Sequence, residues 1–167
     1  PISRDGPGGA PLLVALFTAT SAVCVTGLTV VDTGSYWSPF GVVVILLLIQ
    51  LGGLGLMTAA TLLGLLVSNR LRLGQRLLAQ AETRTTSLGD LGATLRLVFL
   101  ATLTVQLIVA ALLFSRWFLG YGRPAGEAIW LAWFHAVSAF NNAGFSLFSD
   151  SMSGYAGDGW LLLPIMA

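Results

Sequence analysis

Two stretches of the chain share one pattern: residues 17–28 read FTATSAVCVTGL and residues 134–145 read FHAVSAFNNAGF. An offset of 117 residues, which carries Gly27 onto Gly144, brings identical residues together at five of the twelve positions. Each stretch is followed by an acidic residue, Asp32 or Asp150, and then by a tryptophan near the start of an apolar run. Internal repeats of apolar segments are typical of transport proteins, whose sites lie where the repeats meet.

The composition is that of a membrane protein. Of 167 residues, 56% are hydrophobic and only 9% are charged, whereas an average soluble domain of this length carries about 40 charged side chains. A formal charge of +1 gives no positive field for nucleic acid, and the abundance of apolar residues excludes a disordered chain. The lipid bilayer is therefore the expected surrounding, and nucleic acid is not an expected partner.

Apolar runs predict where the chain crosses the membrane. Residues 40–67 and 97–115 are long enough to span a bilayer, and a third run begins at Trp160. Residues 10–31 and 128–148 carry hydroxyl, amide and glycine residues at their centre, which lipid does not tolerate on an exposed helix. We expect each of these two stretches to be re-entrant, with a short helix going in and an extended segment returning. The chain is also expected to be a piece of a longer polypeptide.

Charge predicts the orientation and the division of the chain. Five of the eight arginines lie between Arg70 and Arg96, so this loop is expected on the cytoplasmic side. The predicted organisation is a first repeat over residues 10–67, a cytoplasmic arginine-rich segment over 68–95, and a second repeat over 96–167. If residues 128–148 crossed the whole membrane, the acidic loop over residues 149–159 would be cytoplasmic. The re-entrant arrangement keeps this loop on the outer side.

Backbone carbonyl groups are the predicted ligands of the repeated stretches. Each short helix is followed by a residue pair and a glycine, and glycine allows backbone angles that turn successive carbonyls toward one axis. Converging carbonyls can replace the hydration shell of a cation. The negative ends of the helix dipoles would favour the same charge.

Three motifs give the chain a family resemblance: SAVCVTGLTVVDT over residues 21–33, LIQLGGLGLMT over 48–58, and the second repeated stretch over 134–145. Together they resemble the Ktr/Trk/HKT superfamily of potassium transporters, with the closest likeness to KtrB-type bacterial membrane subunits. The resemblance implies an all-α membrane protein built from helix–pore-loop–helix repeats around a potassium-channel-like pore. This chain would hold the N-terminal half, and the remaining half of the same polypeptide would complete the pore.

The resemblance also implies a function and a set of filter residues. The function would be potassium uptake across the cytoplasmic membrane by a multi-pass protein, without enzymatic activity or an organic cofactor, and with a dependence on sodium in many family members. A homodimer and a cytoplasmic nucleotide-binding regulatory subunit would be its partners. Glycine at position 27 goes with potassium selectivity in this family. The implied filter carbonyls belong to Val25, Thr26, Gly27, Leu28, Asn142, Ala143, Gly144 and Phe145.

Several residues also allow simpler interpretations. Gly27 and Gly144 could be helix-packing glycines, although the pattern that the two stretches share argues against it. Close packing of helices is the favoured role of three other glycines, Gly52, Gly53 and Gly55. His135 is expected to be a buried, hydrogen-bonded side chain rather than a proton relay, Asn141 to hold its own loop, and Cys24 to be a small buried residue. The arginine-rich segment either lies at the headgroup boundary or contacts a regulatory partner, with the candidate contacts Arg70, Arg72, Arg76 and Arg84.

Two rival functions remain open from the sequence. A secondary transporter could bind another cation or a small organic substrate at broken helices, which would place helix N-termini at the site. A membrane-embedded enzyme is disfavoured because no acid–base pair or metal cluster occurs within the apolar segments.

Overall fold

The computed structural model describes residues 3–5, 8–71 and 88–166, and in this part the chain is helical. Its only β-type pairing there is an isolated bridge between Arg4 and Trp37. This agrees with the predicted all-α class. The helices are α1 (Leu12–Val23), α2 (Thr33–Tyr36), α3 (Pro39–Leu71), α4 (Leu88–Ser115), α5 (Ala125–Phe140) and α6 (Gly159–Met166), with a π-helical turn over Arg116–Gly120 and a 3₁₀ turn over Ser153–Tyr155.

Two helical stretches are long and apolar enough to cross a membrane by length and composition. They are Pro39–Leu56 in α3 and Leu95–Gly120, which runs through α4 and the π-helical turn. Both overlap the spans predicted at residues 40–67 and 97–115. Local sequence fixes the start of α3, since proline suits a first helical position and the Ser38 hydroxyl accepts a hydrogen bond from the Gly41 amide at 3.2 Å.

The two repeated stretches have the secondary structure expected of them. α1 has 12 residues and α5 has 16, and each ends where a segment without helix or strand begins. Each helix starts directly after a proline, Pro11 or Pro124, which cannot extend a helix toward its N-terminus.

The chain divides into two compact units. One comprises residues 1–53 and 102–167 and contains both repeated stretches; the other comprises residues 54–101. The predicted boundaries at residues 67/68 and 95/96 stay predictions.

The core of the larger unit lies on both sides of α5. On one side, Phe134 and Val137 of α5 pack with Ala22 of α1 and Ile49 of α3. On the other side, the cluster is formed by Leu113, Trp117, Ala128, Leu131, Ala132, Ala136 and Leu161. α5 is therefore sheltered on two faces, whereas α1 leaves Leu12 and Leu13 about four-fifths exposed in the described part of the chain.

An ionic contact joins the end of α4 to the loop before α6. The Arg116 guanidinium donates to the Asp158 carboxylate at 2.7 Å, and the Tyr121 hydroxyl donates to the same oxygen at 2.8 Å. The hydrogen bond from Arg116 holds the pKa of the Asp158 carboxyl below its usual value, so the contact is ionised at neutral pH.

Two adjacent glycines of α3 allow close packing, as predicted. A Cβ at Gly52 would overlap the carbonyl oxygen of Val23, and a Cβ at Gly53 would overlap the side chain of Asn141. At Gly55 a Cβ would meet nothing within 4 Å among the described residues, so close packing stays a prediction there.

Gly52→Ala is expected to lower the thermal unfolding midpoint of the complete protein in detergent. The added methyl group must displace the Val23 carbonyl, and overpacking of this kind costs about 1–3 kcal/mol. Gly55→Ala is the matched control, since alanine has the higher helix propensity by about 1 kcal/mol and has room there. Equal stability of Gly52→Ala and the unmutated protein would contradict the contact between α3 and the end of α1.

Candidate functional site

The end of α1 is closed by a Schellman motif. The Thr26 amide donates to the Ser21 carbonyl at 2.9 Å, and the Val25 amide donates to the Ala22 carbonyl at 3.2 Å. This pair of bonds satisfies carbonyls that a helix end otherwise leaves unpaired. It also forces one residue, Val25, into the left-handed region, with φ of 55°.

The end of α5 repeats this motif at the same offset of 117 residues. The Ala143 amide donates to the Ser138 carbonyl at 2.7 Å, and the Asn142 amide donates to the Ala139 carbonyl at 2.9 Å. Asn142 is the left-handed residue here, with φ of 54°. The sequence repeat is therefore a repeat of backbone conformation.

The left-handed residues differ in how easily they adopt that conformation. Asparagine visits the region readily, but valine is β-branched and is a true outlier there. Such a residue costs about 1–3 kcal/mol and persists only where the surroundings hold it, which is most often at functional sites. The segment after α1 therefore carries backbone strain at Val25 that its counterpart after α5 avoids.

The two segments meet at their glycines. Gly27 has φ of 73° and Gly144 has φ of 71°, and both lie outside helices, which rules out their role as helix-packing residues. A Cβ on Gly27 would lie 2.6 Å from the Ala143 carbonyl oxygen and 3.1 Å from the Gly144 Cα. Position 27 thus favours glycine twice, for its backbone angles and for the approach of the other segment. At Gly144 the positive φ is the stronger reason, since a Cβ there would lie in tight contact, 3.2 Å from the Gly27 Cα.

A cavity of about 350 Å³ adjoins both glycines. Its walls are mainly polar and come from the segments that follow Gly27 and Gly144, with Asp32 as the acidic member. The Asp32 carboxylate also accepts hydrogen bonds from the amide and the hydroxyl of Ser35, both at 2.8 Å, at the start of α2. The two glycines therefore lie beside an open, largely polar cavity.

The side chains of the predicted filter residues differ in burial. The side chains of Ala143 and Phe145 are buried in the protein, and those of Thr26, Leu28 and Asn142 are exposed in the described part of the chain. The prediction that Cys24 is a small buried residue was wrong, because Cys24 is exposed at the end of α1. The end of a helix has fewer neighbours than its middle, and an apolar sequence context does not reveal this.

Side chains fix the second segment more firmly than the first. The Ser138 hydroxyl donates to the Phe145 carbonyl at 2.7 Å, whereas the hydroxyl of Ser21, its counterpart, is buried without a partner among the described residues. The first segment therefore lacks, among the described residues, the side-chain hydrogen bond by which Ser138 holds the second.

His135 adds a second support to this segment. Its Nδ1 lies 2.8 Å from the Leu131 carbonyl, and its Nε2 lies 3.3 Å from the Ser146 hydroxyl and 3.4 Å from the Leu147 amide. The amide can only donate, so Nε2 is the acceptor and Nδ1 carries the proton. This confirms the prediction of a buried, hydrogen-bonded histidine. At the equivalent position, Thr18 bonds only the Val14 carbonyl of its own helix.

Sequence reasoning missed one buried polar residue of this region, Gln106. It lies in α4, in a run read only as a membrane span, and it donates a hydrogen bond to Gln50 of α3 at 2.8 Å. Gln50 in turn accepts a hydrogen bond from Asn141. The Asn141 side chain also bonds the Val137 carbonyl of its own helix, so the prediction that it holds its own loop was wrong. A lone glutamine in an apolar run was the available signal, since polar groups at such depth are costly without a partner.

Other predicted features are not brought together at this site. No group of three His, Cys, Asp or Glu side chains that could hold a metal ion occurs within the described ranges. Arg70 belongs to α3, and the remaining candidate partner contacts, Arg72, Arg76 and Arg84, lie outside the described residues.

Comparison with known proteins gives one family model that matches, TrkH, described as a cation transport protein, over residues 9–167. The Ktr system potassium uptake protein B of Bacillus subtilis is 44% identical over 144 residues, 86% of this chain and 32% of that protein. Its namesake from Vibrio alginolyticus is 40% identical over 90% of this chain and 32% of that protein. The potassium/sodium uptake protein NtpJ of Enterococcus hirae is 33% identical over 92% of this chain and 34% of that protein.

The chain thus spans about a third of the length of these curated relatives. All three are named as uptake proteins, in agreement with the prediction that the chain is not an enzyme.

Ser138→Ala is expected to loosen the second segment, because the Phe145 carbonyl loses its donor and an unpaired buried group costs about 1–3 kcal/mol. Hydrogen exchange followed by mass spectrometry should show faster exchange of the amides over residues 143–147. Ser21→Ala, the equivalent change in the first repeat, removes no hydrogen bond of the described structure and should leave exchange over residues 26–30 unchanged. Equal responses of the two variants would contradict the difference between the segments.

Proposed function

The chain belongs to the TrkH family of cation transport proteins, and we propose that it supplies two of the walls of a potassium-selective pore. One observation carries this proposal. The same helix end, left-handed turn and glycine occur twice, and the two glycines touch. An arrangement of this kind would allow main-chain carbonyls to line a shared axis without any charged side chain.

Backbone carbonyls are the proposed ligands of the ion. Residues 25–28 form one wall and residues 142–145 the other, and their oxygens would replace water around a dehydrated potassium ion. α1 and α5 both end at these walls, so the partial negative charge of two helix C-termini favours a cation there. The polar cavity beside the glycines, with Asp32, is proposed as the mouth that receives the hydrated ion.

The geometry favours this function over the secondary transporter with an anionic or organic substrate. That alternative needs helix N-termini at the binding site. The helix ends next to Gly27 and Gly144 are C-terminal, and their partial negative charge favours a cation over an anion.

We further propose that both short helices re-enter the membrane from the outer side. At 12 and 16 residues, α1 and α5 fall short of the roughly 20 that a span requires. The larger assembly is then two helix–pore-loop–helix repeats over residues 10–67 and 96–167, joined by a cytoplasmic segment over 68–95, in a multi-pass protein of the cytoplasmic membrane.

The remaining half of the polypeptide would supply the other walls, because two segments cannot enclose a pore. A homodimer, a cytoplasmic nucleotide-binding regulatory subunit and a dependence on sodium belong to the proposal through the family resemblance. Arg70, Arg72, Arg76 and Arg84 are the proposed contacts for the regulatory subunit.

Uptake by potassium-starved cells that lack their own uptake systems tests the function. Expression of the complete protein should restore growth at low potassium. Gly144→Asp should abolish it, because the side chain would be strained by the positive φ, would press on Gly27 and would bring a charge to the proposed filter. Gly27→Ser should lower the preference for potassium over sodium. Gly126→Ser is the control, since a Cβ there meets nothing within 4 Å in the described part of the chain.

No growth despite membrane expression, with and without a co-expressed regulatory subunit, would overturn the proposed function. Unchanged selectivity of Gly27→Ser would overturn the assignment of the filter to this segment.

The membrane topology is tested by cysteine labelling in a Cys24→Ala background. Ser149 is exposed beside the polar cavity, so a cysteine there should react with an impermeant thiol reagent added outside intact cells. A cysteine in place of Thr86, in the segment proposed as cytoplasmic, should react only after the cells are permeabilised. The reverse pattern would refute the re-entrant arrangement.

A further inference from the structure

A buried network of three amide side chains joins α3, α4 and the end of α5. Gln106 is 1% exposed, and its Nε2 donates to Gln50 Oε1 at 2.8 Å. The same oxygen of Gln50 accepts from Asn141 Nδ2 at 3.3 Å. Gln50 is thus the centre of the network, and its single acceptor atom receives both hydrogen bonds.

Asn141 connects this network to the proposed filter. It is the C-cap residue of α5, directly before residues 142–145, and its Nδ2 also donates to the Val137 carbonyl at 2.9 Å. Its Oδ1 is buried and accepts no hydrogen bond among the described residues, and it faces the notch that Gly53 leaves in α3. Hydrogen bonds on one atom and steric contact on the other therefore fix the Asn141 side chain.

The first repeat has no equivalent of this network. Cys24 occupies the position of Asn141 there, and it is exposed. α3 meets the end of α1 through apolar packing between Ile49 and Ala22 and through the close approach of Gly52 to the Val23 carbonyl. The network is therefore not a general requirement for closing a short helix with this motif, since α1 is closed without it.

From this we infer that Gln50 and Gln106 are positioning residues which, through Asn141, set the placement of the carbonyls of residues 142–145 and thereby the discrimination between potassium and sodium. The inference rests on the proposed function. Its physical basis is that a carbonyl site distinguishes two ions of equal charge by the distance and number of its oxygens. A polar link in apolar surroundings holds its geometry well, because breaking it leaves unpaired groups that water does not reach.

The test compares uptake of potassium and sodium by the complete protein and three variants: Gln50→Met, Gln106→Met and the double variant. Methionine keeps the length of glutamine and removes its donor and acceptor. The ratio of potassium to sodium uptake should fall by between about threefold and about twentyfold, the range of hydrogen bonds between helices in a bilayer. Gln50→Met should have the larger effect, since Gln50 contacts Asn141 directly.

The double variant identifies a shared pathway. If Gln106 acts only through Gln50, the double variant should resemble Gln50→Met rather than show the product of both effects. Ser115→Ala is the matched control on α4, because that hydroxyl bonds only the Leu112 carbonyl of its own turn, and it should leave the ratio unchanged.

The outcomes separate the inference from the proposed function. The unmutated protein could take up potassium while the glutamine variants lose uptake of both ions in proportion. That result would show a purely structural role of the glutamines and overturn the inference alone. If the fall in the uptake ratio of the double variant equals the product of the falls in the two single variants, Gln106 does not act through Gln50, and that pathway is overturned. Unmutated protein that takes up neither ion would overturn the proposed function and the inference together.

Discussion

The approach of two backbone segments at Gly27 and Gly144 is the constraint on which the described structure depends. A side chain at Gly27 would press on the Ala143 carbonyl and one at Gly144 would lie in tight contact with Gly27, and both glycines have positive φ. Because the segments have no strand or helix of their own, the surrounding helices must hold them in place. The ends of α1 and α5, the packing of α3 and the core on both faces of α5 all serve to bring these two glycines together.

α3 contacts the ends of both short helices through three positions, Gln50, Gly52 and Gly53. Gly52 lets it approach the end of α1, Gly53 lets it approach Asn141, and Gln50 adds a directional hydrogen bond to the same side chain. Small residues allow helices to approach closely in apolar surroundings, and polar side chains then fix their register. A single helix from the first repeat can thus transmit a displacement to the proposed filter walls of both repeats.

The two repeats share a backbone conformation but differ in how it is held. The second segment is fixed by Ser138, His135 and Asn141, and its left-handed position is filled by asparagine. The first segment has a valine in that position and a buried hydroxyl without a partner among the described residues. A rigid wall beside a strained one gives the proposed pore an inherent asymmetry, which a fourfold arrangement of identical subunits could not have.

The sequence by itself determined the all-α membrane class, the apolar spans, the internal repeat and the glycine positions. These follow from composition and from the backbone preferences of single residues, which act locally. Only the tertiary structure decided that Gly27 meets Gly144, that Gln106 pairs with Gln50, that Cys24 is exposed and that Gly55 packs against no described residue. Those facts depend on which helix faces which, and packing between residues far apart in sequence sets them, so no local pattern encodes them.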